Sequence, residues 1–82
     1  MKAKEQEFLT RIANHKGILF KVSKMYMDNP DDQQDLFQEI VLQLWKAYDS
    51  FKGGSQFSTW MYRVAINTSI VFLKKEKRKV DK

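Results

Sequence analysis

Along three long stretches of this chain the apolar residues return every three or four positions, and nowhere do they settle into the alternation of a strand. That period is the signature of amphipathic helices. In the first stretch Phe8, Ile12, His15, Leu19, Val22 and Tyr26 form the stripe, with Leu9, Ile18 and Met25 broadening it. Gly17 falls inside it at a cost of about 1 kcal/mol relative to alanine, so a bend, a break or a close helix crossing is expected there. The second stretch opens on Asn29-Pro30-Asp31-Asp32. Asparagine can cap free amides, proline suits the first helical position, and early acids oppose the helix dipole. Leu36, Ile40, Leu44 and Tyr48 then make one apolar row, and Phe37, Val41 and Trp45 a second beside it. Gln33, Gln34, Gln38, Glu39, Gln43 and Lys46 fall on the other side. Gly53-Gly54 is the clearest breaker. A third helix is expected from Ser55 or Ser58 to about Lys77, burying Met61, Val64, Ala65, Thr68, Val71 and Phe72. The fold class is therefore all-α: a small bundle of three main helices, the first with its weak point near Gly17.

With 82 residues the chain has interior for a single core, residues 1–82 being one domain. It has no cysteine, so neither disulfides nor thiolate metal sites can supplement that core. The longest apolar runs, Ile40-Val41-Leu42 and Ile70-Val71-Phe72-Leu73, fall far short of a membrane span, and the first residues lack the apolar centre of a signal peptide. A soluble, cytoplasmic protein is expected. The net charge of +5 is unevenly spread. Residues 1–27 carry six basic and two acidic groups, residues 28–39 five acidic and none basic, and residues 74–82 six basic and two acidic. A basic end suits phosphate, while the acidic centre must face solvent or a cationic partner.

Catalytic chemistry is poorly served. His15, the one histidine, sits in the apolar row of the first helix without an acid or metal partner spaced around it. Asp31, Asp32, Asp35 and Glu39 cluster near a helix start but offer too few ligands for a hard cation. Gly53-Gly54 lacks the lysine and hydroxyl of a phosphate loop. Asn67-Thr68-Ser69 matches a glycosylation acceptor only incidentally, since it falls within a helix. No catalytic residue, metal, cofactor or small-molecule substrate is expected. The concentrated signal is instead Phe57-Ser58-Thr59-Trp60-Met61-Tyr62-Arg63-Val64-Ala65-Ile66-Asn67. Trp60, Arg63, Asn67 and Lys74 follow at helical steps along one side, so an aromatic, a guanidinium and an amide share it. An amide can read a base edge, and a base stacked on an aromatic ring gains about 1 to 3 kcal/mol. Phe51 and Phe57 flank the glycine loop and read equally as core or as stacking groups.

Asp35-Leu36-Phe37-Gln38-Glu39, Trp45-Lys46-Ala47-Tyr48, Phe51-Lys52-Gly53, Phe57 to Asn67 and the basic run from Lys74 to Lys79 together resemble bacterial sigma factors of the extracytoplasmic-function group. The similarity is to their second conserved region and covers about residues 8–79. It implies an all-helical domain, a non-catalytic specificity subunit that binds core RNA polymerase and recognises and melts the minus-ten promoter element. Residues implied to meet the clamp helices of the beta-prime subunit are Asp35, Gln38 and Glu39, with Gln43 and Trp45. Those implied to engage the non-template strand of promoter DNA are Phe51, Lys52, Ser55, Phe57, Thr59, Trp60, Arg63 and Asn67, with Lys74, Lys75, Lys77 and Arg78 on phosphates. An anti-sigma protein is a further implied partner. Val71 stands where the family commonly has an acidic residue, and Lys74 and Lys75 where it has arginine.

Members of that group carry a second, helix-turn-helix domain, which is absent from these residues, so a piece of a longer protein is expected. Two other classes fit parts of the pattern. A helix-turn-helix regulator would use three helices and a basic end but leaves the aromatic loop without a task. A helical protein-interaction module would make the basic run a solvated end.

Overall fold

The computed structural model describes residues 2–51 and 56–80, with side-chain surroundings from residue 3 to residue 75. Its elements are α1 (Lys2–Asn14), α2 (Lys16–Tyr26), α3 (Pro30–Ala47), a 3-10 turn (Tyr48–Ser50) and α4 (Phe57–Val80). The described residues are helical with four helices rather than three main ones, because the first apolar stretch is divided. The division falls at His15, two residues before Gly17. A Cβ built at Gly17 meets nothing within 4 Å, so no close helix crossing exists there. What ends α1 is His15 itself: its backbone leaves helical geometry (φ −120°, ψ 21°), and its ring Nδ1 lies 2.9 Å from the Arg11 carbonyl. The imidazole thereby serves a carbonyl that the end of a helix leaves unpaired.

At the start of α3 the Asn29 side chain accepts from the Asp31 amide at 2.7 Å, with Pro30 in the first turn. The Gln33 side chain donates to the Met27 carbonyl at 2.8 Å, tying the incoming chain to the same turn. The expected row Leu36, Ile40, Leu44 and Tyr48 is buried throughout. Helices α2, α3 and α4 each pack against the other two, around Leu19, Val22, Leu36, Ile40, Leu44, Met61 and Ala65. Burying a leucine-sized side chain contributes about 1.5 to 3 kcal/mol, so this layer dominates stability. Helix α1 adds Phe8 and Ile12 to the same core.

On α4 the expected buried row shifts. Met61 and Ala65 are buried, Val64, Thr68 and Phe72 are half-buried, and Val71 is 53% exposed. Ser69, which apolar patterning passes over, is fully buried and donates to the Ala65 carbonyl at 2.8 Å. Its small size and internal hydrogen bond let a polar residue sit in the interior. No described helix is long and apolar enough to cross a membrane.

Candidate partner and nucleic-acid interfaces

Helix α3 turns one face to the core and another to solvent. Asp31, Asp35, Gln38, Leu42, Trp45 and Asp49 are all exposed and follow one another in alternate steps of four and three. That is the spacing of a seam against which another helix can lie. Asp35 makes no hydrogen bond or ion pair among the described residues, so its carboxylate is free for a partner. Leu42, 45% exposed, is the member that patterning missed; its place between Gln38 and Trp45 in the same stripe was the available signal. Trp45, 40% exposed, rests on Phe8 with ring centroids 5.0 Å apart, and the Lys4 ammonium lies 5.8 Å from its ring. Glu39 and Gln43 sit off this seam. They are half-buried and joined by a 2.8 Å bond from the Gln43 amide to Glu39 Oε2.

The second assembly gathers around the turn after α3. Phe51 and Trp60 have centroids 5.1 Å apart, Phe57 and Trp60 5.5 Å, and Phe51 and Phe57 5.6 Å. Tyr48 meets Trp60 at 6.3 Å beneath them. Phe57 is buried, whereas Phe51 and Trp60 are half-buried and keep part of their rings open. Helix α1 closes the cluster from the side. The Arg11 guanidinium lies 5.6 Å from the Phe51 ring and 5.3 Å from that of Phe57, and Lys4 pairs with Asp49. The Tyr48 hydroxyl donates to Glu7 Oε1 at 2.8 Å. Burial, followed by that hydrogen bond, raises the Tyr48 pKa. Patterning missed Glu7 and Arg11, since nothing in their local sequence links them to residues forty positions away.

From this cluster α4 runs outward, its 24 residues spanning about 36 Å at the usual helical rise. Thr59, Arg63, Asn67, Lys74 and Lys75 are exposed along it. Lys52 and Ser55 lie outside the described residues, as do the side chains of Lys77 and Arg78, whose backbone continues α4. Among the described residues no group of three or more histidine, cysteine, aspartate or glutamate side chains could hold a metal ion.

An acidic seam, an aromatic cluster and a helix bearing arginine and asparagine thus occur in one order along one chain. That order is matched by the family model "Sigma-70 region 2" over residues 8–79. The chain belongs to the sigma-70 region 2 family. Among the proteins it is similar to are sigma factors of the extracytoplasmic-function group. It is 44% identical over 48 residues to the ECF RNA polymerase sigma factor SigG of Mycobacterium tuberculosis, covering 58% of this chain and 13% of that protein. Against the ECF RNA polymerase sigma-E factor of Escherichia coli K12 it is 45% identical over 42 residues, 51% of this chain and 22% of the relative. Against the RNA polymerase sigma factor SigV of Bacillus subtilis it is 27% identical over 70 residues, 85% of this chain and 42% of the relative. The chain therefore spans less than half the length of each of these relatives. No solved structure matches it significantly.

In this sigma region 2 chain the two surfaces are chemically distinct. The α3 seam offers carboxylates, an amide, a leucine and a tryptophan, a mixture able to bury an apolar strip against a helix while pairing with its cations. The cluster and α4 offer open ring edges, a guanidinium, an amide and lysines, the kinds of group that can stack on bases, pair with base edges and attract phosphate.

Proposed function

We propose that this chain docks through α3 on the clamp helices of the beta-prime subunit of core RNA polymerase, and through the aromatic cluster and α4 reads and opens the minus-ten promoter element. The observation that carries this reading is the exposed seam Asp35, Gln38, Leu42 and Trp45 in the same small bundle as a helix, α4, that exposes Arg63, Asn67, Lys74 and Lys75. Asp35, Gln38, Leu42 and Trp45 meet the coiled-coil partner along the seam, while Glu39 and Gln43 flank it on the side of α4. Phe51 and Trp60 stack on unpaired bases of the non-template strand, and Phe57, buried beneath them, holds both rings in place. Arg63 and Asn67 contact base edges. Lys74 and Lys75, with Lys52, Ser55 and Thr59 near the loop and Lys77 and Arg78 further along α4, hold the strand. Taking a base out of the stack costs a few kcal/mol, which two stacking contacts of about 1 to 3 kcal/mol each offset. No cofactor or catalytic group is required. An anti-sigma protein would act by covering the same seam, and the site of action is the cytoplasm.

Fluorescence anisotropy with a labelled single-stranded minus-ten oligonucleotide, together with pulldown of a beta-prime clamp-helix fragment, tests the reading. Binding of both ligands is expected. If the chain bound neither at low salt, the proposal would be lost. A preference for intact duplex over single strand would instead favour a helix-turn-helix regulator.

A further inference from the structure

Glu39 and Gln43 stand on the polymerase-facing helix, yet their side chains open away from its seam. Together with Asn67, Thr68, Val71, Phe72 and Lys75 they line a cleft of about 410 Å³ between α3 and α4, within the range of small-ligand sites. Its chemistry is divided by position. Phe72, half-buried, offers an apolar surface for a flat ring, and Lys75, exposed, offers a cation for a phosphate. Glu39 Oε2 accepts from the Gln43 amide at 2.8 Å, which orients the carboxylate. Its second oxygen has no partner among the described residues, and neither has the Asn67 amide.

We propose that this cleft seats one unpaired nucleobase bearing an exocyclic amino group, with the Glu39 carboxylate as the acceptor that selects it. The inference rests on the DNA-reading role of α4 and adds a specificity determinant from α3. A carboxylate accepts from the amino group of cytosine, adenine or guanine. Thymine has no amino group, and its single ring N–H lies between two carbonyl oxygens that a carboxylate repels. A base in the cleft lies against Asn67, so the strand that α4 reads is the strand that supplies it. Lys75 at the same cleft offsets the repulsion between Glu39 and the strand's phosphates.

The test uses this chain and fluorescein-labelled single-stranded decamers in which each position is varied through all four bases. At one position, amino-bearing bases are expected to bind about tenfold more tightly than thymine, the scale of one good base-edge contact. Glu39→Gln, which keeps the side chain's size, is expected to reduce that ratio to about twofold at the same position. Lys75→Ala should weaken all decamers alike, and Asp35→Ala should leave the ratio unchanged. Retention of full discrimination by Glu39→Gln at every position would overturn the proposal, as would equal loss of it in Asp35→Ala, which would mark a general charge effect. Failure of the unaltered chain to bind any decamer would remove the underlying DNA-reading role instead. Normal binding by the unaltered chain with no position preferring amino-bearing bases would remove only the cleft's part.

Discussion

Tyr48 is the residue where most of the local physics of this domain meets. It ends the buried row of α3, touches Phe8, Phe51, Phe57 and Trp60 with its ring, and spends its hydroxyl on Glu7. Because its pKa is raised in the folded chain above the ordinary value of 10.0, the native state holds the phenol proton more tightly than the unfolded state. The resulting stability is complete below the unfolded value and is lost as pH climbs through the folded one. Urea midpoints measured from neutrality to about pH 11 should therefore fall more steeply in the unaltered chain than in Tyr48→Phe. The phenylalanine variant should start about 1 kcal/mol lower at neutral pH, having lost the bond to Glu7. Ser23 predicts the opposite sign. It is buried, and its hydroxyl has no partner among the described residues. Ser23→Ala should raise stability by about 1 kcal/mol, read as a rise of several degrees in Tm by circular dichroism.

Among the elements, the starts of α2 and α3 are set by groups at very different distances along the chain. The capping signal Asn29-Pro30-Asp31 was legible because every group it needs is local: Asn29 reaches an amide two residues away. Asn29→Ala should cost about 1 kcal/mol in thermal unfolding. The α1–α2 break was legible only as a neighbourhood. Glycine signalled weakness, but the turn formed where a histidine ring could serve the Arg11 carbonyl and pack 5.5 Å from the Phe57 ring, and that ring arrives from α4. Gly17 is exposed in the first turn of α2 with open space around it, so Gly17→Ala should stabilise by about 0.5 kcal/mol. A loss on the same measurement would mean that the glycine is needed for the break after all. The same distinction explains Val71 and Ser69. Periodicity assigns a stripe by residue type, whereas the angle at which α4 crosses its neighbours decides which edge of the stripe is covered.

For the whole molecule, the arrangement predicts that its two interfaces can be damaged separately. Asp35→Ala combined with Leu42→Ala should abolish pulldown of the clamp-helix fragment while leaving oligonucleotide affinity within about twofold, since both residues lie on the outer face of α3. Lys74→Ala should weaken binding to all DNAs about equally and lower the slope of log affinity against log salt by about one unit. Asn67→Ala should instead change which sequence is preferred. If the α3 pair and Lys74→Ala affected both ligands equally, the division into two surfaces would fail.

What the sequence determined alone was everything that depends on neighbours within one turn of helix. This includes the helical class, the caps and breakers, the acidic face of α3 and the succession Trp60, Arg63, Asn67 and Lys74 along α4. The motifs Asp35 to Glu39 and Phe57 to Asn67 also carried the family, because their order survives in one dimension. Only the tertiary structure decided which of these residues meet. It placed Arg11 over Phe51 and Phe57, set Glu7 on Tyr48, and turned Glu39 and Gln43 from the partner seam into a cleft with Asn67. Those contacts depend on helix crossing angles, which are fixed by how the side chains of all four helices fill one core. No single stretch of the chain contains that information.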